Sequence, residues 1–147
     1  MRQVAIIFIC IIITSLFLTP AVAQEESACI HIKEMYLRFD GDDATVTIYF
    51  DMDLFGDLYV FAFGSRHLEP ELIKIFSIFD DLEIRKIGMD NAVIELANVS
   101  RQTDSYYLFD ERELGTEVEE LIILYPSGPN MRFNDVSEIP PLFYEVS

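Results

Sequence analysis

The chain has no tryptophan, two cysteines, and only 10 lysines and arginines among its 147 residues. Cys10 lies in an apolar leader segment, so Cys29 stands alone once that segment is removed, and an intrachain disulfide is then impossible. A domain built this way depends on its core rather than on covalent staples. Against the few cations stand 26 aspartates and glutamates, for a formal charge of −16. That field repels a nucleic-acid backbone, so no nucleic-acid partner is expected. It equally disfavours an anionic lipid surface and attracts cations and basic partners. It also serves plain solubility. What is present in quantity is aromatic: 12 Phe and 7 Tyr point to a folded core rather than a disordered acidic tail.

The longest apolar run is Val4 to Leu18 (VAIIFICIIITSLFL). Arg2 precedes it, and Pro20 with Ala21-Val22-Ala23 follows. A short basic end, an apolar middle and an A-x-A ending are the marks of a secretory signal peptide. The run is shorter than the ~20 residues that span a bilayer as a helix. The expected organisation is a signal peptide over 1–23, a linker over 24–29 and one globular domain over 30–147. The alternative is an uncleaved signal anchor, with residues 4–18 as the membrane contact and Arg2 on the cytoplasmic side. Either way the domain is expected outside the cytoplasm, secreted or held at the cell envelope.

From Ile30 the pattern alternates. Ile30 and Ile32 share one parity, while Met35, Leu37 and Phe39 share the other, so a β-bulge is expected near Lys33-Glu34. Asp40-Gly41-Asp42-Asp43 supplies a turn, and Val46, Ile48 and Phe50 continue as the second strand of a hairpin. The period then lengthens. Leu54, Phe55, Leu58, Phe61 and Ala62 suit a helix face, with Asp53 as N-cap and Gly64 as stop; a buried strand over 58–63 is the competing reading. A second helix begins around Pro70, flanked by Glu69 and Glu71, with Leu72, Ile73, Phe76 and Phe79 as its stripe and Asp80-Asp81 as its end.

A second hairpin joins 82–87 to 92–96, with Ala92, Ile94 and Leu96 inward. Tyr106 to Phe109 reads as a short strand. Residues 112–120 (RELGTEVEE) read as a solvated connector. Leu121 to Tyr125 is apolar on both parities and suits a strand covered on both faces. A turn at 126–130 and an extended, proline-bearing strap over 139–144 follow. The fold class expected is α+β: a mostly antiparallel sheet built from hairpins, with two mid-chain helices packed on one face. A β-sandwich with a helical insertion is the alternative.

Three clusters carry candidate chemistry. Asp40, Asp42, Asp43, Asp51 and Asp53 supply oxygens suited to a hard cation such as Ca²⁺, although Gly41 is misplaced for an EF-hand loop. Their ordinary reading is a solvated turn and a helix cap. Ser65, Arg66, His67 and Glu69 crowd a hydroxyl, a guanidinium, an imidazole and a carboxylate into one segment, a candidate anion-binding or hydrolytic site. Spacing alone does not make a triad, and no G-x-S-x-G pattern occurs, so a polar interhelix turn is the plainer reading. Cys29 and His31, two apart, fit a shared metal ligand set poorly because too few other imidazoles and thiols exist.

Asn98-Val99-Ser100 is a glycosylation sequon entering a polar loop expected over Ser100 to Ser105. Tyr106-Tyr107 and Phe143-Tyr144 suit either core or a recognition patch. No catalytic pattern and no resident cofactor emerge. The expectation is a non-enzymatic structural or protein-binding module outside the cytoplasm, meeting a protein or basic ligand at the envelope. A Ca²⁺-binding module is the second reading, and a hydrolase or anion site at Ser65–Glu69 the third.

Overall fold

A computed structural model describes residues 30–145; the leader, the linker and Cys29 lie outside these. The described chain is α+β. Strands β1 (Ile30–Asp40) and β2 (Asp43–Met52) are followed by helix α1 (Leu54–Phe63), a 3₁₀ turn (Ser65–Leu68) and helix α2 (Glu69–Ile75). Then come β3 (Leu82–Ile87), β4 (Asn91–Leu96), β5 (Ser100–Gln102), β6 (Tyr106–Phe109), β7 (Arg112–Leu124), β8 (Met131–Ile139) and β9 (Leu142–Glu145). Six strands form one sheet in the order β3-β4-β2-β1-β7-β8, and β5-β6-β9 form a second. All pairings are antiparallel except β1 with β7.

The first hairpin follows its sequence pattern closely. Register slips between Ile32 and Glu34, so Lys33 is the extra residue, and Ile30, Ile32, Met35, Leu37 and Phe39 all reach the buried face. Gly41 makes the turn at a φ of 66°, a value glycine adopts without steric cost. Val46, Ile48, Phe50, Ala92, Ile94 and Leu96 join the same buried face. The opposite face carries Tyr36, Arg38, Thr45, Thr47 and Tyr49 around a shallow surface depression.

The large sheet is thus apolar on one side and mostly polar on the other, and two separate elements cover the apolar side. At one end, Leu68 of the 3₁₀ turn, Leu72 and Ile75 of α2, and Phe76 and Phe79 beyond it join the core. At the other, the small sheet contributes Phe109, Leu142 and Tyr144, with Phe39 stacked on Tyr144 at 4.5 Å and edge-on to Phe109 at 5.5 Å.

Four local expectations are corrected. In α2, Ile73 is exposed and Ile75 is buried in its place, because the helix stops at Ile75 and the following turn brings Phe76 and Phe79 inward. In α1 the helix, the Asp53 cap and the Gly64 stop all form: Asp53 Oδ1 accepts from the Gly56 amide at 2.7 Å, and the Gly64 amide donates to the Val60 carbonyl at 2.7 Å. Its face is reversed, however. Gly56 and Val60 turn inward, while Leu54, Leu58, Phe61 and Ala62 face solvent. The cap fixes the helical phase directly from the end of β2, where a Cβ on Gly56 would already meet Met52 Cβ at 3.0 Å.

The third correction is 112–120, which is strand. Leu114 and Val118 are buried in β7 among charged neighbours that point outward, so the polar residues mark an exposed parity rather than a loop. The fourth is the polar segment from Ser100, which begins with strand β5; Ser100 itself is buried.

Gly115 of β7 lets α2 approach. A Cβ there would stand 2.9 Å from Ile75 Cα and 3.1 Å from the Lys74 carbonyl oxygen, both backbone atoms of α2. Gly115→Ala is expected to lift the helix off the sheet and cost about 1–3 kcal/mol by overpacking. Urea denaturation checks this: the midpoint falls, with the slope unchanged.

Candidate functional site

The end of the sheet at the β1–β2 turn is a dense polar junction. Tyr144, from β9, donates its hydroxyl to the Gly41 carbonyl at 2.6 Å and lies 2.9 Å from Ser100 Oγ. One hydroxyl has one hydrogen, so Ser100 donates the second bond back to Tyr144. The Asp42 carbonyl accepts from the Val99 amide at 2.8 Å and the Ser100 amide at 3.1 Å. Asp43 Oδ1 accepts from the Asn98 amide at 2.9 Å. The turn aspartates therefore anchor the start of the small sheet. Asn98 is exposed and sits at a φ of 54°, a conformation asparagine tolerates better than most residues. The sequon's Ser100 faces inward onto Tyr144.

The five aspartates do not converge. Asp40, Asp42 and Asp43 sit at one end of the hairpin, and Asp51 and Asp53 at the other, about 25 Å away along β2 at ~3.3 Å per residue. Asp51 faces Lys33 at 3.7 Å, and Asp53 is occupied as the cap of α1. Asp40 and Asp43 border a cavity of about 520 Å³ with Asp81, Glu83, Arg85 and Glu95. Arg85 stands at the β3 bulge and bonds Glu83 at 2.6 Å and Glu95 at 2.7 Å. Its hydrogen bond holds the Glu95 carboxyl below the ordinary value, and Glu95 in turn raises the guanidinium. Among the described residues no group of three or more His, Cys, Asp or Glu is arranged to hold a metal ion.

Ser65, Arg66, His67 and Glu69 are not brought into one site either. Ser65 Oγ donates to the Ile87 carbonyl at 2.9 Å, tying the 3₁₀ turn to the end of β3. Arg66, His67 and Glu69 are exposed. His67 meets Tyr59 and Phe63 edge-on, at 5.6 and 6.0 Å between ring centroids, and so belongs to the rim of α1.

The arrangement with the most capacity for recognition is a groove between β9 and the β7–β8 turn. Its volume is about 780 Å³, and Tyr106, Tyr125, Pro129, Met131, Pro141 and Phe143 are among its walls. Tyr125 donates to Met131 Sδ at 3.3 Å, fixing one wall. Each aromatic pair in the sequence divides in two: Tyr107 and Tyr144 stack inward at 5.3 Å, while Tyr106 and Phe143 face out, Phe143 at 74% exposure. The strand period makes that split: neighbours along β6 and β9 point to opposite faces. The sequence singles out Tyr106 and Phe143 as aromatics suited to core or to a recognition patch, but not the groove they share, because its walls come from three separate segments. Among the described residues β9 is an edge strand, with no strand paired to its outer backbone groups.

No helix among the described residues is long and apolar enough to cross a membrane. No protein-family model, no curated protein and no solved structure matches the chain.

Burial raises the Tyr144 hydroxyl above the ordinary tyrosine value, against the lowering effect of Ser100. A group raised in the folded state stabilises the fold below its unfolded pKa, and that contribution is lost as pH rises through the folded pKa. Tyr144→Phe is expected to cost about 1–3 kcal/mol at neutral pH, from the unmet Gly41 and Ser100 groups. The gap between the two proteins should narrow above pH ~10, where tyrosine ordinarily ionises. Urea midpoints at pH 7 and pH 11 measure both effects.

Proposed function

We propose that the protein is a non-enzymatic binding module that works outside the cytoplasm and captures an extended, basic peptide segment of a partner protein. The observation that carries this reading is the groove beside β9. An apolar trough lies next to a strand edge that no described strand pairs, the combination of features used in recognition by strand addition. Backbone bonds to β9 supply affinity, and an apolar side chain seated among Tyr106, Met131 and Phe143 supplies choice. Exposed aromatics of this kind carry much of the energy at interfaces. The formal charge of −16 and Glu145 at the groove favour a basic segment and speed its encounter. The apolar leader over 4–18 supports the location.

Selection from a display library of extended peptides tests the reading. Basic peptides with an apolar or aromatic anchor are expected to be enriched. Phe143→Ser and Met131→Ser are each expected to weaken a selected peptide about tenfold, or ~1.4 kcal/mol, with little change in Tm because both side chains are exposed. Methylating the peptide's backbone amides should weaken it further. Failure to enrich any peptide, or binding unaltered by both substitutions, defeats the reading.

A further inference from the structure

Helix α1 (LFGDLYVFAF) carries one charged residue, Asp57. A helix apolar on nearly every side is normally buried. Here the core receives the Gly56 and Val60 side, while Leu54, Leu58, Tyr59, Phe61 and Phe63 are exposed among the described residues. Leu54, Leu58 and Phe61 stand at i, i+4 and i+7 and share one outward face; Leu54 and Phe61 are each 80% exposed. Tyr59 and Phe63 flank that face, and His67 and Arg66 follow immediately beside it.

The sheet register says which end of the molecule this is. Ile30, the first described residue, pairs with Met52, two residues before α1 begins. The chain therefore enters the domain at the foot of α1. Where the apolar run 4–18 is retained in a membrane, the chain between it and Ile30 is residues 19–29, which reach at most about 40 Å when fully extended. That membrane is then tethered at the α1 end of the domain. The peptide groove is at the opposite end, where Arg38 of β1 pairs with Leu124 of β7.

We propose that the outward face of α1 rests on a lipid bilayer, with Leu54, Leu58 and Phe61 inserted below the headgroups. Leucine and phenylalanine on an exposed face with tyrosine beside it are residue types suited to the apolar edge and interface of a bilayer. Arg66 and His67 sit at headgroup level, the guanidinium reaching phosphate while its stem stays on the apolar surface. The strong net negative charge makes the fitting surface zwitterionic rather than anionic. Contact by α1 points the groove away from the membrane, although neither proposal requires the other.

The full chain, made without peptidase in the presence of phosphatidylcholine vesicles and carrying Cys10→Ser and Cys29→Ser, tests this with a fluorophore at Phe61→Cys or at Asp104→Cys. Asp104 is exposed in the β5–β6 turn, near the groove end. The label at 61 is expected to shift to the blue and lose at least half its intensity when the acyl chains are brominated. The label at 104 should respond only to aqueous iodide. Leu54→Asp with Leu58→Asp should return the label at 61 to water while circular dichroism stays unchanged. Equal access of iodide to both labels overturns the proposal. So does a label at 61 hidden from iodide yet blind to brominated lipid, the result expected if a second copy or the leader covers α1. A lipid response that survives the double aspartate variant overturns it as well.

Discussion

One face of the six-stranded sheet is a continuous apolar surface running from Ile30 to Phe39 along β1 and across its neighbours. Burying that face is the dominant favourable term available to the fold, and no single element of this chain is large enough to cover it. Two lids divide the work. One is the segment from Leu68 to Phe79, and its closeness depends on a missing side chain at Gly115. The other is the small sheet, and its position depends on one hydroxyl, Tyr144, reaching back to the β1–β2 turn. With no disulfide among the described residues, packing and these polar ties hold the lids on. The described side chains leave no buried nitrogen or oxygen without a partner.

What remains outside this closure defines the two surfaces open to other molecules. At the turn end, the lid's edge strand and the β7–β8 turn leave a groove between them. At the entry end, α1 is capped and anchored at its first turn but presents Leu54, Leu58 and Phe61 outward. The two lie at opposite poles of the sheet because β1 and β2 run its full length between them. A domain with one wettable sheet face, one closed face and two apolar poles has an inherent polarity of orientation.

Where a residue's role depended on its neighbours in sequence, the pattern revealed it. The bulge at Lys33, the Asp53 cap, the Gly64 stop and the parity of Ala92, Ile94 and Leu96 all follow from strand and helix periods. Where the role depended on a partner far along the chain, the pattern failed. RELGTEVEE reads as a solvated connector until Leu114 and Val118 are seen to be buried within β7. The α1 stripe marks a true helix face, but periodicity does not say whether that face meets the core or something beyond it. The acidic residues from Asp40 to Asp53 look like one cluster only because a long strand is compressed on the page. Tyr106 and Phe143 carry a recognition reading in the sequence, but the groove itself could not be read, since they meet Met131 only through tertiary folding.

The parallel pairing of β1 with β7 has a kinetic side. Lys33 and Glu119, bonded at 2.6 Å beside that pairing, are 86 residues apart. β1 finds β2 at once through a two-residue turn, yet its other edge waits for residues 118–124 to arrive from the far end of the polypeptide. Closing so long a loop is slow, and an unmatched edge in the interim invites mispairing with other chains. One edge of β1 is thus matched locally while the other stays open until the distant strand arrives, and crowding of nascent molecules would be felt at that open edge.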